Sequence, residues 1–273
     1  MMEEVIYDSA RRPAPWREEL AALWAYRDLV CQLVARDIKV RYKRSALGVA
    51  WSMLNPLLMM VIFTMVFSHL FRFDLPRFPI YLLSGIILWN FFAQTTTLAA
   101  QQLVWGGSLL TRIYVPRTVF AVSALGTGMV NLGFALLPLA VIMMITGAPF
   151  YPALAFLPVA VALTAAFTLG VSLLLSSLAV VFTDLIEMYQ VLLTAWYFLT
   201  PIFYPARILG ERSPLWLKLN PMHHLVSAFR GPIYEGALPS LESLAMTAGL
   251  ALATLAAGWW IFTHRADQLI YRL

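Results

Sequence analysis

Five stretches of the chain contain no Asp, Glu, Lys or Arg: residues 45–71, 78–111, 118–183, 188–206 and 243–263. A helix needs about 20 apolar residues to cross the hydrocarbon core of a bilayer. The first, second, fourth and fifth stretches therefore hold one span each. The third, at 66 residues, holds two, with a turn at Thr146-Gly147-Ala148-Pro149-Phe150-Tyr151-Pro152 near its middle. The pattern predicts an all-α membrane protein with six transmembrane helices, over about residues 48–71, 79–103, 118–146, 153–182, 188–205 and 243–263.

Two regions fit neither a span nor a short loop. In residues 17–44, Leu23, Tyr26, Val30, Leu33 and Val34 recur at helical spacing, and Arg27, Arg36, Lys39, Arg41, Lys43 and Arg44 supply charge. This predicts an N-terminal amphipathic helix lying in the membrane interface. Residues 205–242 mix five prolines with apolar residues such as Leu215, Trp216, Leu225 and Phe229. They predict helices that enter the membrane and return, an arrangement tolerated only where protein or water covers the broken backbone. The chain thus divides into a cytoplasmic N-terminus (1–44), a transmembrane domain (45–263) and a cytoplasmic C-terminus (264–273).

Composition narrows the class. Hydrophobic residues make up 61% of the 273 positions and charged residues 12%, about half the share a soluble domain carries. The net charge is +5, and nine of the 19 Lys and Arg residues precede residue 45. Placed beside apolar spans, this basic cluster points to anionic lipid and topology rather than to nucleic acid. With the N-terminus inside, thirteen Lys and Arg fall on the cytoplasmic side and six outside, so both termini are expected in the cytoplasm. No cleaved signal peptide is expected, because charges punctuate the first 44 residues. Cys31 is the single cysteine, so no intramolecular disulfide forms.

Absent chemistry is equally informative. None of the 14 carboxylates falls in the middle of a span, whereas ion-driven transporters place ionisable groups there. No glycine is followed by Lys-Ser or Lys-Thr, so there is no phosphate-binding loop. A transporter of this composition needs a separate energy-supplying subunit. His223-His224 is the only histidine pair; neighbouring side chains on a helix diverge by about 100°, a poor geometry for joint metal ligation. A membrane-embedded glycan or acyl transferase would have to draw on Asp184, Glu187, His223 or His224. An ion channel is disfavoured, because no charged ring lines a span.

In span two, Asn90, Gln94, Thr97 and Gln101 are spaced four, three and four apart and share one helix face. Such a face serves either as interhelical hydrogen bonding or as the lining of a polar path. Trp196-Tyr197-Phe198 lies mid-span, away from an interfacial aromatic belt. Its rings can pack against other helices or stack on sugar faces. Gly126, Gly128, Gly133, Ser172 and Ser176 are small residues suited to close helix packing.

Residues 33–56, LVARDIKVRYKRSALGVAWSMLNP, resemble the start of the type-2 ABC exporter permeases that move lipid-linked polysaccharides such as O antigen and teichoic acid. Further matching places are Phe67-Ser68, Thr200-Pro201-Ile202-Phe203-Tyr204-Pro205, Asn220-Pro221-Met222 and Phe229-Arg230. The resemblance implies a homodimer with two copies of a cytoplasmic ATPase, no cofactor in this chain, and ATP and Mg on the partner. It implies a coupling helix at 105–117, with Trp105, Gly106, Gly107, Arg112 and Arg117 as the ATPase contact, and a re-entrant hairpin at 205–242. Its aromatic-lined channel directs attention to Tyr42, Trp51, Trp89, Phe92, Trp196 and Tyr197, beside the polar Asn90 and Gln94. Lys39, Arg41, Lys43 and Arg44 become candidates to meet lipid phosphates or a substrate pyrophosphate, or else to set topology alone. The implied activity is export of a lipid-linked glycan across the bacterial cytoplasmic membrane; the alternative within transport is a drug or small lipid.

Overall fold

The computed structural model describes residues 15–43, 45, 47–69, 77–105, 115–182, 184–205 and 215–270. They form α1 (Pro15–Ala25), α2 (Arg27–Tyr42), α3 (Ala50–His69), α4 (Phe78–Trp105) and α5 (Thr118–Ile145). After a 3₁₀ turn at Pro152–Phe156 come α6 (Leu157–Ala179) and α7 (Leu185–Leu199). The chain continues through the short α8 (Leu215–Leu219), α9 (Pro221–Arg230), a π turn (Gly231–Glu235) and α10 (Leu241–Ile270). No strand occurs among the described residues.

Five of these segments are long and apolar enough to cross a membrane: Ala50–Phe67, Phe78–Val104, Thr118–Ile145, Pro152–Ala179 and Leu241–His264. The apolar α7 has 15 residues, about 22 Å of helix, less than the roughly 30 Å hydrocarbon core. The segment read as one amphipathic helix holds two, α1 and α2, because Tyr26, at φ −95° and ψ 16°, leaves helical geometry between them. The last helix runs on to Ile270 instead of stopping near residue 263.

The bundle is built around α4. Its apolar segment is 78% buried, against 11–33% for the other four. Phe78, Leu82, Ile86, Trp89 and Phe92 join Leu132 and Leu139 of α5 and Phe167 of α6 in one core. A second cluster seats α1 and α2. Leu23, Tyr26, Val30 and Leu33 pack against Val119 and Phe120 of α5, Leu173 of α6 and Phe262 of α10. The apolar stripe of α2 therefore faces the bundle, while Lys39, Arg41 and Lys43 on its other faces are exposed. Helices α6 and α10 touch backbone to backbone: a Cβ on Gly258 would sit 2.3 Å from the Gly170 carbonyl oxygen. Small residues permit that approach, and close packing is what holds helices together in lipid.

The proline-broken segment after α7 is held by one buried cation. Arg230 Nη1 donates to the Pro201 carbonyl and Nη2 to the Ile202 carbonyl, each at 2.9 Å. Its guanidinium carbon lies 3.7 Å from the centre of the Tyr81 ring on α4. Gly85 leaves the room, since a Cβ there would come within 2.3 Å of Arg230 Nη2. Tyr81 in turn donates from its hydroxyl to the Tyr204 carbonyl at 2.9 Å. Asn220 completes the attachment. Its Oδ1 caps α9 by accepting from Met222 N–H at 3.0 Å, and it also accepts from Trp196 Nε1 at 2.8 Å. Carbonyls next to prolines have no helical partner, so these side chains replace the missing ladder.

Arg230→Ala strands two buried carbonyls and should destabilise the chain by about 3 kcal/mol or more. Arg230→Lys keeps the charge but cannot fork to both oxygens, and should fall between. Tryptophan fluorescence during heating of the detergent-purified chain reads both. An unchanged midpoint for the alanine variant would refute the anchor.

Candidate functional site

A cavity of about 810 Å³ opens between α2, α3, α4 and α5. Helix α4 contributes Asn90, Gln94, Thr97 and Gln101, the four residues its spacing places on one face. Helix α5 adds Thr127 and Asn131. Helix α3 adds Trp51, Ser52, Asn55 and Pro56. Pro56 lies inside α3 and has no N–H, so the Ser52 carbonyl four residues back loses its helical donor and adds a free acceptor. Arg36, Asp37, Arg41 and Tyr42 close the cavity from α2.

Two hydrogen bonds cross from α2 to the far walls. Arg41 Nη2 donates to Gln94 Oε1 at 2.8 Å, and the Tyr42 hydroxyl donates to Asn131 Oδ1 at 3.1 Å. Arg36 is paired with Asp37 at 2.8 Å, so Arg41 is the one cation on the described lining without a carboxylate partner. Asn55, Asn90 and Gln101 have no hydrogen-bond partner among the described residues. Leaving a carboxamide dry in an apolar bundle costs about 2 kcal/mol or more. These groups therefore require water or a polar solute, and the cavity has room for either.

The residues singled out from the sequence fall into two groups. Tyr42, Trp51, Asn90 and Gln94 line the cavity, with Arg41. Trp89, Phe92, Trp196 and Tyr197 come together elsewhere, on the packed side of α4. Phe92 and Trp196 rings lie 5.3 Å apart, Trp89 and Trp196 6.2 Å, and Trp89 and Tyr197 5.3 Å. Phe92 also stacks on Phe167 at 5.6 Å. Such edge-to-face and offset arrangements are favoured between rings, and Phe92 is wholly buried. Lys39 and Lys43 are exposed on α2 outside the lining. Trp105 closes α4, and Arg117 stands immediately before α5. Gly106, Gly107, Arg112 and Arg44 lie outside the described residues.

Sequence reasoning passed over Asn55 and Asn131. The available signal was a carboxamide inside a charge-free stretch, one directly before Pro56 and one isolated in span three. Among the described residues no three His, Cys, Asp or Glu side chains are grouped to hold a metal. His224 Nε2 is occupied by the Lys218 carbonyl at 2.7 Å.

The two faces of α4 should differ in access to water. With Cys31 replaced by Ser, Asn90→Cys is expected to react with a charged, membrane-impermeant thiol reagent. Ala99→Cys, fully buried on the opposite side of the same helix, is expected not to. Equal reaction rates would refute a hydrated cavity.

Known proteins align with 77–90% of the chain. The family model described as ABC-2 type transporter matches residues 28–234. The "O-antigen export system permease protein RfbA" of Myxococcus xanthus is 33% identical over 249 residues, 90% of this chain and 95% of the relative. A protein of the same name from Klebsiella pneumoniae is 27% identical over 77% of this chain and 82% of its own length. The "Polysialic acid transport protein KpsM" of Escherichia coli is 22% identical over 87% of this chain and 93% of its own length. On the extent of these matches, and in agreement with the five membrane-length helices, the chain belongs to the ABC-2 type transporter family.

Proposed function

We propose that this chain is the permease subunit of an ATP-driven exporter that carries a lipid-linked polysaccharide across the bacterial cytoplasmic membrane. The observation that carries the reading is the cavity rich in carboxamides, with an aromatic ring at Trp51, inside a chain that is otherwise apolar. Carboxamides donate to and accept from sugar hydroxyls, and an aromatic ring offers a face for the apolar side of a pyranose. The relatives' names, O-antigen export and polysialic acid transport, support the same substrate class.

The chain works as a homodimer with two copies of a cytoplasmic ATPase, which bind ATP and Mg. It is multi-pass with both termini in the cytoplasm, as the Lys and Arg distribution favours. The short α7 acts as the sixth span, and residues 205–242 form a re-entrant hairpin, a reading supported by the carbonyls that Arg230 covers. Residues 105–117 take up the ATPase stroke, with Arg112 and Arg117 at the contact. Since α4 and α5 leave from the two ends of that segment, its displacement moves both main walls of the cavity. Arg41 is held by a neutral acceptor, Gln94. A phosphate adds an opposite charge and can take two parallel bonds from the guanidinium, so a pyrophosphate arriving at the α2 edge exchanges with Gln94 and brings its glycan to the cavity. Lys39, Lys43 and Arg44 add attraction for anionic lipid. Among the described residues of the lining Asp37 is the one carboxylate, and it is bound by Arg36.

Asn90, Gln94 and Asn131 replaced together by Leu should lower surface glycan at least about tenfold, three lost polar contacts at roughly 1 kcal/mol each. The permease–ATPase complex should remain recoverable. Wild-type glycan levels on the cell surface would sink the cavity's role. Arg41, Lys43 and Arg44 replaced by Gln should also reduce export while membrane insertion stays intact; unchanged export there would remove the phosphate-binding role.

A further inference from the structure

Asp37 is the one carboxylate among the described lining residues of the cavity, and it is tied on two sides. Arg36 donates to its Oδ1 from Nη2 at 2.8 Å and from Nε at 3.1 Å. Gln102 of α4 donates from Nε2 to its other oxygen. Gln102 Oε1 also lies 3.3 Å from the Ser123 hydroxyl of α5, whose single proton is shared with the Phe120 carbonyl at 2.9 Å. One carboxylate thus fastens α2 to the last turn of α4 and, through Gln102, to the start of α5. These are the two stems of the 106–114 segment. A second tie reaches the same place from α1: Thr118, the first residue of α5, donates to Glu19 Oε2 at 2.7 Å.

Four residues after Asp37, on the same face of α2, Arg41 reaches Gln94, and Tyr42 reaches Asn131 across the cavity. Helix α2 is therefore held at one point to the stems and at another to the cavity walls. The Asp37 side chain is 12% exposed. Separating so enclosed a carboxylate from its donors leaves a buried polar group unpaired, so Asp37 follows its partners when they move.

We propose that Asp37 and Gln102 form the joint through which the stems of residues 106–114 set the position of Arg41 and Tyr42, and so the opening of the cavity. Asp37 is a positioning residue: it holds the helix that carries the contacting groups. The proposal rests on the reading of the cavity as part of the export path and adds the element that regulates it. Asp37 with Gln102 and Arg41 with Gln94 both fasten α2 to α4, so spreading of the stems carries α2 with α4 and pulls Tyr42 from Asn131 of α5. Loss of the joint uncouples the cavity from the stems.

The test uses the complete permease–ATPase complex in liposomes, with Cys31→Ser and Gln101→Cys as a reporter on the lining. A charged, membrane-impermeant thiol reagent measures cavity opening with and without ATP. The parent should change its modification rate about fivefold or more with ATP, the low end of coupling between distant sites. Asp37→Ala should abolish that dependence. Asp37→Asn, which keeps the oxygen that accepts from Gln102, should restore most of it, a rescue that a general loss of stability would not give. If Asp37→Ala does not assemble, Gln102→Leu removes the same contact from α4 and carries the same expectation. A parent rate indifferent to ATP, full ATP dependence in Asp37→Ala or Gln102→Leu, or failure of Asp37→Asn to rescue would overturn the joint. Glycan export, measured separately on the cavity variants, separates the two readings. An ATP-dependent, Asp37-dependent cavity whose Leu variants still export leaves the joint standing and sinks the export path.

Discussion

Burial of α4 is the constraint on which the other elements depend. A helix with 78% of its apolar segment buried, among neighbours no more than a third buried, must satisfy packing and polarity on all sides at once. Successive residues turn by about 100°, so Trp89 and Phe92 point into an aromatic core while Asn90 and Gln94 point into the cavity. The same helix is structural support on one side and solvent boundary on the other. Its two ends carry the remaining attachments: Tyr81 and Gly85 receive Arg230 at one, and Gln102 receives Asp37 at the other.

Broken backbone in an apolar protein has to find donors within the protein. Here they come from long side chains rather than from secondary structure. Arg230 covers the carbonyls of Pro201 and Ile202, and Asn220 Nδ2 donates to the Thr200 hydroxyl at 3.1 Å while its Oδ1 serves both Met222 and Trp196. Arginine suits this work because its planar fork reaches two oxygens while its face lies on an aromatic ring. The polar side chains of the cavity are distributed differently. Some are paired across the space, Arg41 with Gln94 and Tyr42 with Asn131, and Asn55, Asn90 and Gln101 are left for solvent or substrate. Satisfied groups hold the fold, and the groups left unpaired among the described residues face the cavity.

Much of the architecture was legible in the order of residues. Charge-free stretches locate the membrane-length helices because a lipid-facing helix excludes ions over its length. The four, three, four spacing of Asn90, Gln94, Thr97 and Gln101 put them on one face of α4, since face membership within one helix depends only on the helical period; that this face lines a cavity is seen only in the structure. The apolar stripe of Leu23, Tyr26, Val30 and Leu33 was legible as a stripe, but that it packs on the bundle is seen only in the structure.

What the tertiary structure alone decided is which faces meet. Asn55 and Asn131 each stand alone in their helices, and nothing local to α3 or α5 reveals that they share a cavity with α4. Trp196 and Tyr197 have the same rings whether they stack on sugars or on each other; the partners Trp89 and Phe92 are brought to them by helix crossing. Asp37 with Gln102 and Arg230 with Pro201 join residues 65 and 29 positions apart. Periodicity is a property of one helix and is written in its sequence, whereas contact between helices depends on rotation and crossing angle, which only the packed bundle defines.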